Sequence, residues 1–214
     1  MIRNLVFDFG GVIADFDFER ALAAFARIGL RHPERYLDSF HQKDFFRALE
    51  SGGIDADEFV RRLNGCADRK ISYDDAREAW IGFFLLPVPP ERLEMLERLR
   101  SRYRLYVLSN TNPFVMSWAR SSAFTPAGRP LDDYFDKLYL SYEMKCMKPG
   151  REIFDRMAAD APLRPDETLY IDDSAANAAA GAALGYRTFC PASNADWRDE
   201  LCRMLGIGRE FLDR

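Results

Sequence analysis

The sequence predicts an α/β protein, a doubly wound parallel sheet with an α-helical segment inserted after its first strand. Short apolar runs recur along the chain, they are continuous rather than alternating, and stretches of helical spacing separate them. Continuous hydrophobicity is what strands covered on both faces require, which places them in a parallel sheet between helices. Regular strand–helix alternation then selects a doubly wound core. At 214 residues, 48% hydrophobic and 14% aromatic, the chain suits one domain with a modest insertion and can bury a full core.

The first strand is Leu5-Val6-Phe7. The interval after it breaks the alternation, because most of it reads as helix: residues 18–28, 43–50, 56–63 and 73–84. Gly29, His32-Pro33, Gly52-Gly53 and Lys70-Ile71-Ser72 separate these stretches, and Leu86-Pro87-Val88-Pro89-Pro90 makes a stiff return. Residues 16–86 are therefore expected to form a helical cap over the strand ends, with 1–15 and 87–214 as the core. There, a helix over 91–102 buries Leu93, Leu96 and Leu99 and leads to the strand Leu105-Tyr106-Val107-Leu108. Helix 114–121, strand Leu138-Tyr139-Leu140, helix 152–161 and strand Leu169-Tyr170-Ile171 follow in turn. The alanine-rich helix 175–184 and the strand Arg187-Thr188-Phe189-Cys190 complete the pattern.

Thirty Lys and Arg against 34 Asp and Glu give a net charge of −4, which argues against nucleic acid as the main partner, since phosphate backbones are held by clustered cations. No apolar run approaches a membrane span, and Met1-Ile2-Arg3-Asn4 leads straight into a strand rather than into a secretory signal. Cys66, Cys146, Cys190 and Cys202 have neither zinc spacing nor a disulfide framework and are expected as reduced thiols of a cytoplasmic protein. A monomer or a homodimer is expected.

In an open parallel sheet, ligands sit outside the carboxyl ends of the strands. The first strand delivers Asp8-Phe9-Gly10-Gly11-Val12 there, the second Ser109-Asn110-Thr111-Asn112, the third leads to Met147-Lys148-Pro149, and the fourth ends in Asp172-Asp173-Ser174. Carboxylates, a lysine and a hydroxyl thus converge on one rim. Such charges are costly beside an apolar sheet unless they pair or hold a metal, and a hard cation with oxygen ligands, Mg²⁺ above all, suits them. A carboxylate can then serve as nucleophile while a lysine and a hydroxyl hold phosphoryl oxygens and glycines let backbone approach.

Asp8, Ser109-Asn110, Lys148-Pro149 and Asp172-Asp173, in this order and at these strand ends, resemble the four motifs of the haloacid dehalogenase (HAD) superfamily. The helical insertion resembles its C1 cap, and the core its Rossmann-like sheet. The likeness spans residues 1–190 and is nearest the branch of α-D-glucose-1-phosphate phosphatases and soluble epoxide hydrolase phosphatase domains. It implies that Asp8 attacks phosphorus to form an aspartyl-phosphate, with Asp8, Lys148 and Ser109 catalytic. Ser109, Asn110, Lys148 and Gly11 would contact substrate. Asp8, the Gly10 carbonyl and Asp172 would hold Mg²⁺ with Asp173 beside them, and Asn177 would brace the acidic loop. The implied activity is a Mg²⁺-dependent phosphatase acting on a small metabolite such as glucose 1-phosphate.

Most phosphatases of the superfamily carry a general acid two residues after the nucleophile, where this chain has Gly10. Losing such a group costs about 10²–10⁴ in rate, tolerable for a good leaving group; alternatively Asp15 reaches in from the hinge to replace it. Two other readings remain open: a metal-free 2-haloacid dehalogenase, which leaves Asp172-Asp173 unexplained, and a non-catalytic binding protein, for which Gly10 is the only support. Phe40, Phe45 and Phe46 are expected to pack the cap and His41 to be structural, while Phe16, Asp17 and Arg47 are candidates to face the pocket. The arginines at 98, 100, 102 and 104 read as a solvated helix face.

Overall fold

A computed structural model describes residues 1–38, 42–161, 163–208 and 211. Five parallel strands form one sheet in the order β3-β2-β1-β4-β5. They are β1 (Asn4–Phe7), β2 (Arg104–Ser109), β3 (Lys137–Leu140), β4 (Thr168–Ile171) and β5 (Arg187–Phe189). The order grows outward from β1 in both directions, which opens a ligand crevice at the carboxyl end of β1. Leu5 stands opposite Leu105 and Leu169, and Phe7 opposite Val107 and Ile171. Side chains alternate between faces, so Leu5 and Phe7 enter one apolar cluster while Val6, Leu108 and Tyr170 enter a second on the other side. Both faces are covered, which is why the strands read as unbroken apolar runs. A close approach makes this possible at Gly181, where an added Cβ would stand 2.7 Å from the Tyr170 ring.

Among the described residues, four α-helices follow β1: α1 (Phe18–Arg27), α2 (Asp44–Glu50), α3 (Ala56–Gly65) and α4 (Tyr73–Ile81). Their starts are set by side chains that take up the free amides of the first turn. The Asp17 carboxylate accepts from the amides of Glu19 and Arg20, Asp55 accepts from Glu58, and Ser72 and Asp75 form a reciprocal capping box. Phe25, Phe46, Phe59 and Trp80 fill the space between the helices with ring centroids 4.9–6.0 Å apart, and Phe45 joins them. Helix α4 stops at Ile81 rather than continuing to 84. Past Gly82, Phe84 pairs antiparallel with Phe16, and the two crossings of the chain are stitched by Asp17 N to Phe83 O and Leu85 N to Asp15 O, both 2.8 Å.

The remaining helices are α5 (Pro90–Leu99), α6 (Pro113–Ala119), α7 (Ser141–Met144), α8 (Arg151–Asp160), α9 (Ala175–Ala183) and α10 (Arg198–Leu205). The sequence pattern predicts neither α7, a single turn, nor α10. The latter is anchored by Trp197, whose indole packs on Phe7 and donates to the Val12 carbonyl at 2.6 Å. None of the four cysteines is joined in a disulfide; Cys146 and Cys202 are buried and Cys190 is exposed. Among the described residues no helix is long and apolar enough to cross a membrane.

Candidate active site

The carboxyl ends of β1, β2 and β4 and the loop after α7 bring Asp8, Ser109, Lys148, Asp172 and Asp173 to one rim. Lys148 is the centre of the arrangement: its Nζ lies 2.6 Å from Asp172 Oδ2, 3.0 Å from Asp8 Oδ1 and donates to the Leu108 carbonyl at 2.8 Å. The ammonium is buried, so three oxygens replace the water it has lost. Its backbone is fixed by Asn110, whose amide side chain accepts from Lys148 N and donates to Lys148 O, both at 2.9 Å. Asp172 has no exposed surface. It accepts from Lys148, the Tyr170 hydroxyl, the Ser174 amide and Asn177 Nδ2. Asn177 thus braces the acidic loop as the resemblance implies.

Burial is the largest influence on every group of this cluster; it prevails at Asp8 and Asp173 and is outweighed by charges and hydrogen bonds at Asp172 and Lys148. Burial pushes the Asp8 carboxyl up to about 7, since Lys148 offsets only part of the cost while Asp172 and Asp173 add repulsion. Burial would raise Asp172 as well, but Lys148 and the Tyr170 and Ser174 donors outweigh it and hold Asp172 below the ordinary range. Lys148 is held above its usual value because the two carboxylates overcome its desolvation. Burial raises Asp173, the Asp172 charge adds to it and the Lys148 charge opposes it.

Ligand oxygens of Asp8, Asp172 and Asp173 all lie within 4.8 Å of one another, a spacing that one small cation can share. Asp173 Oδ2 is buried without a partner, which marks an oxygen still in need of one, whereas the oxygens of Asp172 are saturated by donors. Gly10 lines the cavity beside Asp8. Gly11 differs from the expectation that it touches substrate: it is not among the lining residues, and its amide is spent on the Ala14 carbonyl at 2.9 Å. Its part is spatial. With φ at +74° and an added Cβ only 2.2 Å from Asp173 Oδ2, only glycine leaves room for that carboxylate.

Above the rim lies a cavity of about 120 Å³, walled on the core side by Asp8, Ser109, Asn110, Lys148 and Asp173 and on the helical side by Phe16, Gln42, Glu50, Trp80 and Phe84. At roughly 10–15 Å³ per water-sized group, this holds about ten such groups, the size of a small metabolite. Asp15 does not reach it: Arg92, itself buried, grips Asp15 at 2.6 Å and also bonds the carbonyls of Ile13, Asn194 and Ala195, so the hinge carboxylate has a structural partner. Phe16 does line the cavity, Asp17 caps α1, and Arg47 borders a neighbouring recess with Lys148 and Pro149. Phe40 and His41 lie outside the described residues.

Among the lining residues that escape sequence reasoning, two stand out chemically. Glu50 ends α2, is buried, and carries a carboxyl raised to about 8 by desolvation and by Asp8, only partly countered by Arg47. Trp80 is buried with its indole N–H unpartnered. In the sequence Glu50 is one acid among many on helices and Trp80 reads as core; only the fold brings them to the cavity that Asp8 also lines.

A profile of haloacid dehalogenase-like hydrolases matches residues 2–185. The chain is 47% identical over 205 residues to a D-ribitol-5-phosphate phosphatase of Bacteroides thetaiotaomicron, covering 96% of this chain and 99% of that protein. Among solved structures, an HAD-like family hydrolase from Porphyromonas gingivalis superimposes with a TM-score of 0.90 at 40% identity, covering 96% of this chain and 98% of the other. A wild-type HAD family enzyme of Bacteroides thetaiotaomicron, in complex with magnesium and inorganic phosphate, gives 0.84 at 36% identity over 92% of this chain and 98% of that one.

Proposed function

The chain belongs to the haloacid dehalogenase-like hydrolases, and from that premise we propose that it is a Mg²⁺-dependent phosphatase of a small polyol or sugar phosphate. The observation that carries the reading is the buried Lys148 ammonium set between Asp8 and Asp172 at the foot of a metabolite-sized cavity. Asp8 attacks phosphorus, and Ser109, the Asn110 amide and Lys148 hold the phosphoryl oxygens as the ester bond opens. Asp8, the Gly10 carbonyl and the Asp172-Asp173 pair would hold the metal. The unpartnered Asp173 oxygen favours Asp173 for direct contact and leaves Asp172 to orient Lys148. Bound there, Mg²⁺ supplies charge neutralisation to the phosphoryl oxygens. Residues 16–86 act as the cap that excludes water and selects the substrate.

For the substrate itself, we favour a five-carbon polyol phosphate over glucose 1-phosphate, on the support of the Bacteroides phosphatase at 47% identity. A panel containing both compounds, run with Mg²⁺ beside Asp8→Asn, tests the assignment. Turnover that survives Asp8→Asn refutes the covalent route, and glucose 1-phosphate preferred by an order of magnitude refutes the polyol. The dehalogenase reading needs no metal and leaves Asp173 Oδ2 without a purpose; chelator-insensitive release of halide from a 2-haloacid would restore it. A non-catalytic protein would release no phosphate from any ester on the panel.

A further inference from the structure

The proposed reaction, on which this inference rests, must hand a proton to the ester oxygen it releases, yet Gly10 stands where an acid would follow Asp8. Phe16 and Phe84 border that position, at 3.8 and 4.0 Å from an added Cβ. Among the described residues, five titratable side chains line the cavity: Asp8, Asp38, Glu50, Lys148 and Asp173. Asp8 attacks, Lys148 and Asp173 serve phosphate and metal, and Asp38 is half-exposed and 3.7 Å from Lys43. Glu50 remains, buried and with no hydrogen bond or ion pair to its carboxyl among the described residues.

The position of Glu50 is fixed from the core. Ser141 Oγ, at the end of β3, donates to the Glu50 carbonyl at 2.6 Å and accepts from the Thr111 amide at 2.9 Å, so one hydroxyl ties the end of α2 to the loop that carries Ser109 and Asn110. Two residues on, Gly52 presses against the Tyr142 carbonyl, where an added Cβ would come within 2.2 Å. We propose that Glu50 is the proton donor and acceptor of the reaction, supplied by the helical insertion in place of the acid missing at Gly10.

In the first step Asp8 Oδ forms a bond to phosphorus, the bond from phosphorus to the ester oxygen breaks with its electron pair on oxygen, and that oxygen takes the Glu50 proton to leave as the alcohol. In the second, water attacks phosphorus as the Glu50 carboxylate takes its proton, and the bond to Asp8 breaks with its pair returning to the carboxylate. Phosphate leaves and both carboxyls regain their starting states. The environment keeps the proton in place before the first step. Burial, the Asp8 charge and the carbonyl end of α2 all oppose ionisation, Arg47 favours it, and Asp38, Lys148 and Asp173 face the same cavity. The resulting value of about 8 keeps the carboxyl protonated at neutral pH yet able to give its proton up, as a general acid must.

The test is the dependence of kcat/KM on the leaving group, across dinitrophenyl, nitrophenyl and phenyl phosphates and ribitol 5-phosphate, for the wild type and Glu50→Gln. We expect Glu50→Gln to lose about 10²–10⁴-fold on ribitol 5-phosphate and less than about ten-fold on the dinitrophenyl ester, whose leaving group needs no proton. The wild type should show an alkaline limb near pH 8 with ribitol 5-phosphate that is absent with the dinitrophenyl ester. This second measurement stands whether or not the variant folds. An equal loss on every ester, a rise in KM alone, or the same alkaline limb for both esters overturns the role of Glu50 and leaves the phosphatase reading intact. Failure of the wild type to cleave any ester overturns both.

Discussion

On the core side of the cavity, Asp172 accepts hydrogen bonds from a lysine, a tyrosine, a backbone amide and an asparagine, and Lys148 donates to three oxygens. On the helical side, Glu50 and Trp80 line the same space, and neither the Glu50 carboxyl nor the Trp80 indole N–H has a partner among the described residues. Buried polar groups are ordinarily satisfied, and each exception calls for an explanation. The contrast separates two duties. Apart from Asp173 Oδ2 and Asn177 Oδ1, the buried polar side-chain atoms of the core wall already have partners among the described residues, so little reorganisation is left for the phosphoryl transfer. The opposite wall keeps its donors and acceptors for the substrate to complete.

The largest effect expected is on the core wall: Asp8→Asn should lower kcat by about 10⁴-fold or more, because nucleophile and phosphoryl acceptor are lost together. Steady-state release of phosphate from ribitol 5-phosphate checks it. Lys148→Ala strips Asp172 and Asp8 of their buried counter-charge and should cost about 3–5 kcal/mol in denaturant unfolding. The acid side of that stability follows from Asp172. Its carboxyl titrates lower in the folded state, so its contribution is present above the ordinary 3.8 and is lost as the pH falls through its depressed value.

Glu50 has the opposite sign. Its folded value near 8 stands above the ordinary 4.5, so folding is least penalised below pH 4.5 and loses stability as the pH rises toward 8. Glu50→Gln removes that loss and should stabilise the protein at pH 9 by on the order of 3 kcal/mol, with less gain at pH 5. A melting temperature equally raised at both would break the link to ionisation. Gly11→Ala should cost about 1–3 kcal/mol, from a non-glycine residue at positive φ and the displaced Asp173. It should also weaken Mg²⁺ binding by calorimetry. The smallest effect belongs to the opposite wall. Trp80→Phe deletes one N–H and should raise KM for ribitol 5-phosphate about two- to ten-fold with little change in kcat, the worth of one hydrogen bond.

The strands and most helices were legible because each rests on local pattern. Leu105-Tyr106-Val107-Leu108 is apolar on both faces, and Ser72 with Asp75 announces the start of α4. Boundaries were less so: α4 ends early because Phe83 and Phe84 turn back to pair with the other crossing, a contact between distant residues that no window of sequence contains. Helix α10 is not legible in the sequence for the same reason, since its anchor is Trp197 against Phe7.

By itself, the sequence determined that Asp8, Ser109, Lys148, Asp172 and Asp173 would meet, because parallel strands deliver whatever follows them to one rim. Only the tertiary structure decided what each does there. It bound Asp15 to Arg92 and so withdrew it from the cavity, it saturated Asp172 while leaving an oxygen of Asp173 unpartnered, and it made Gly11 a matter of room rather than contact. It also turned Glu50 inward. Local pattern encodes direction along the chain, but burial and partnership, which set the charge and availability of a group, arise from elements far apart in sequence.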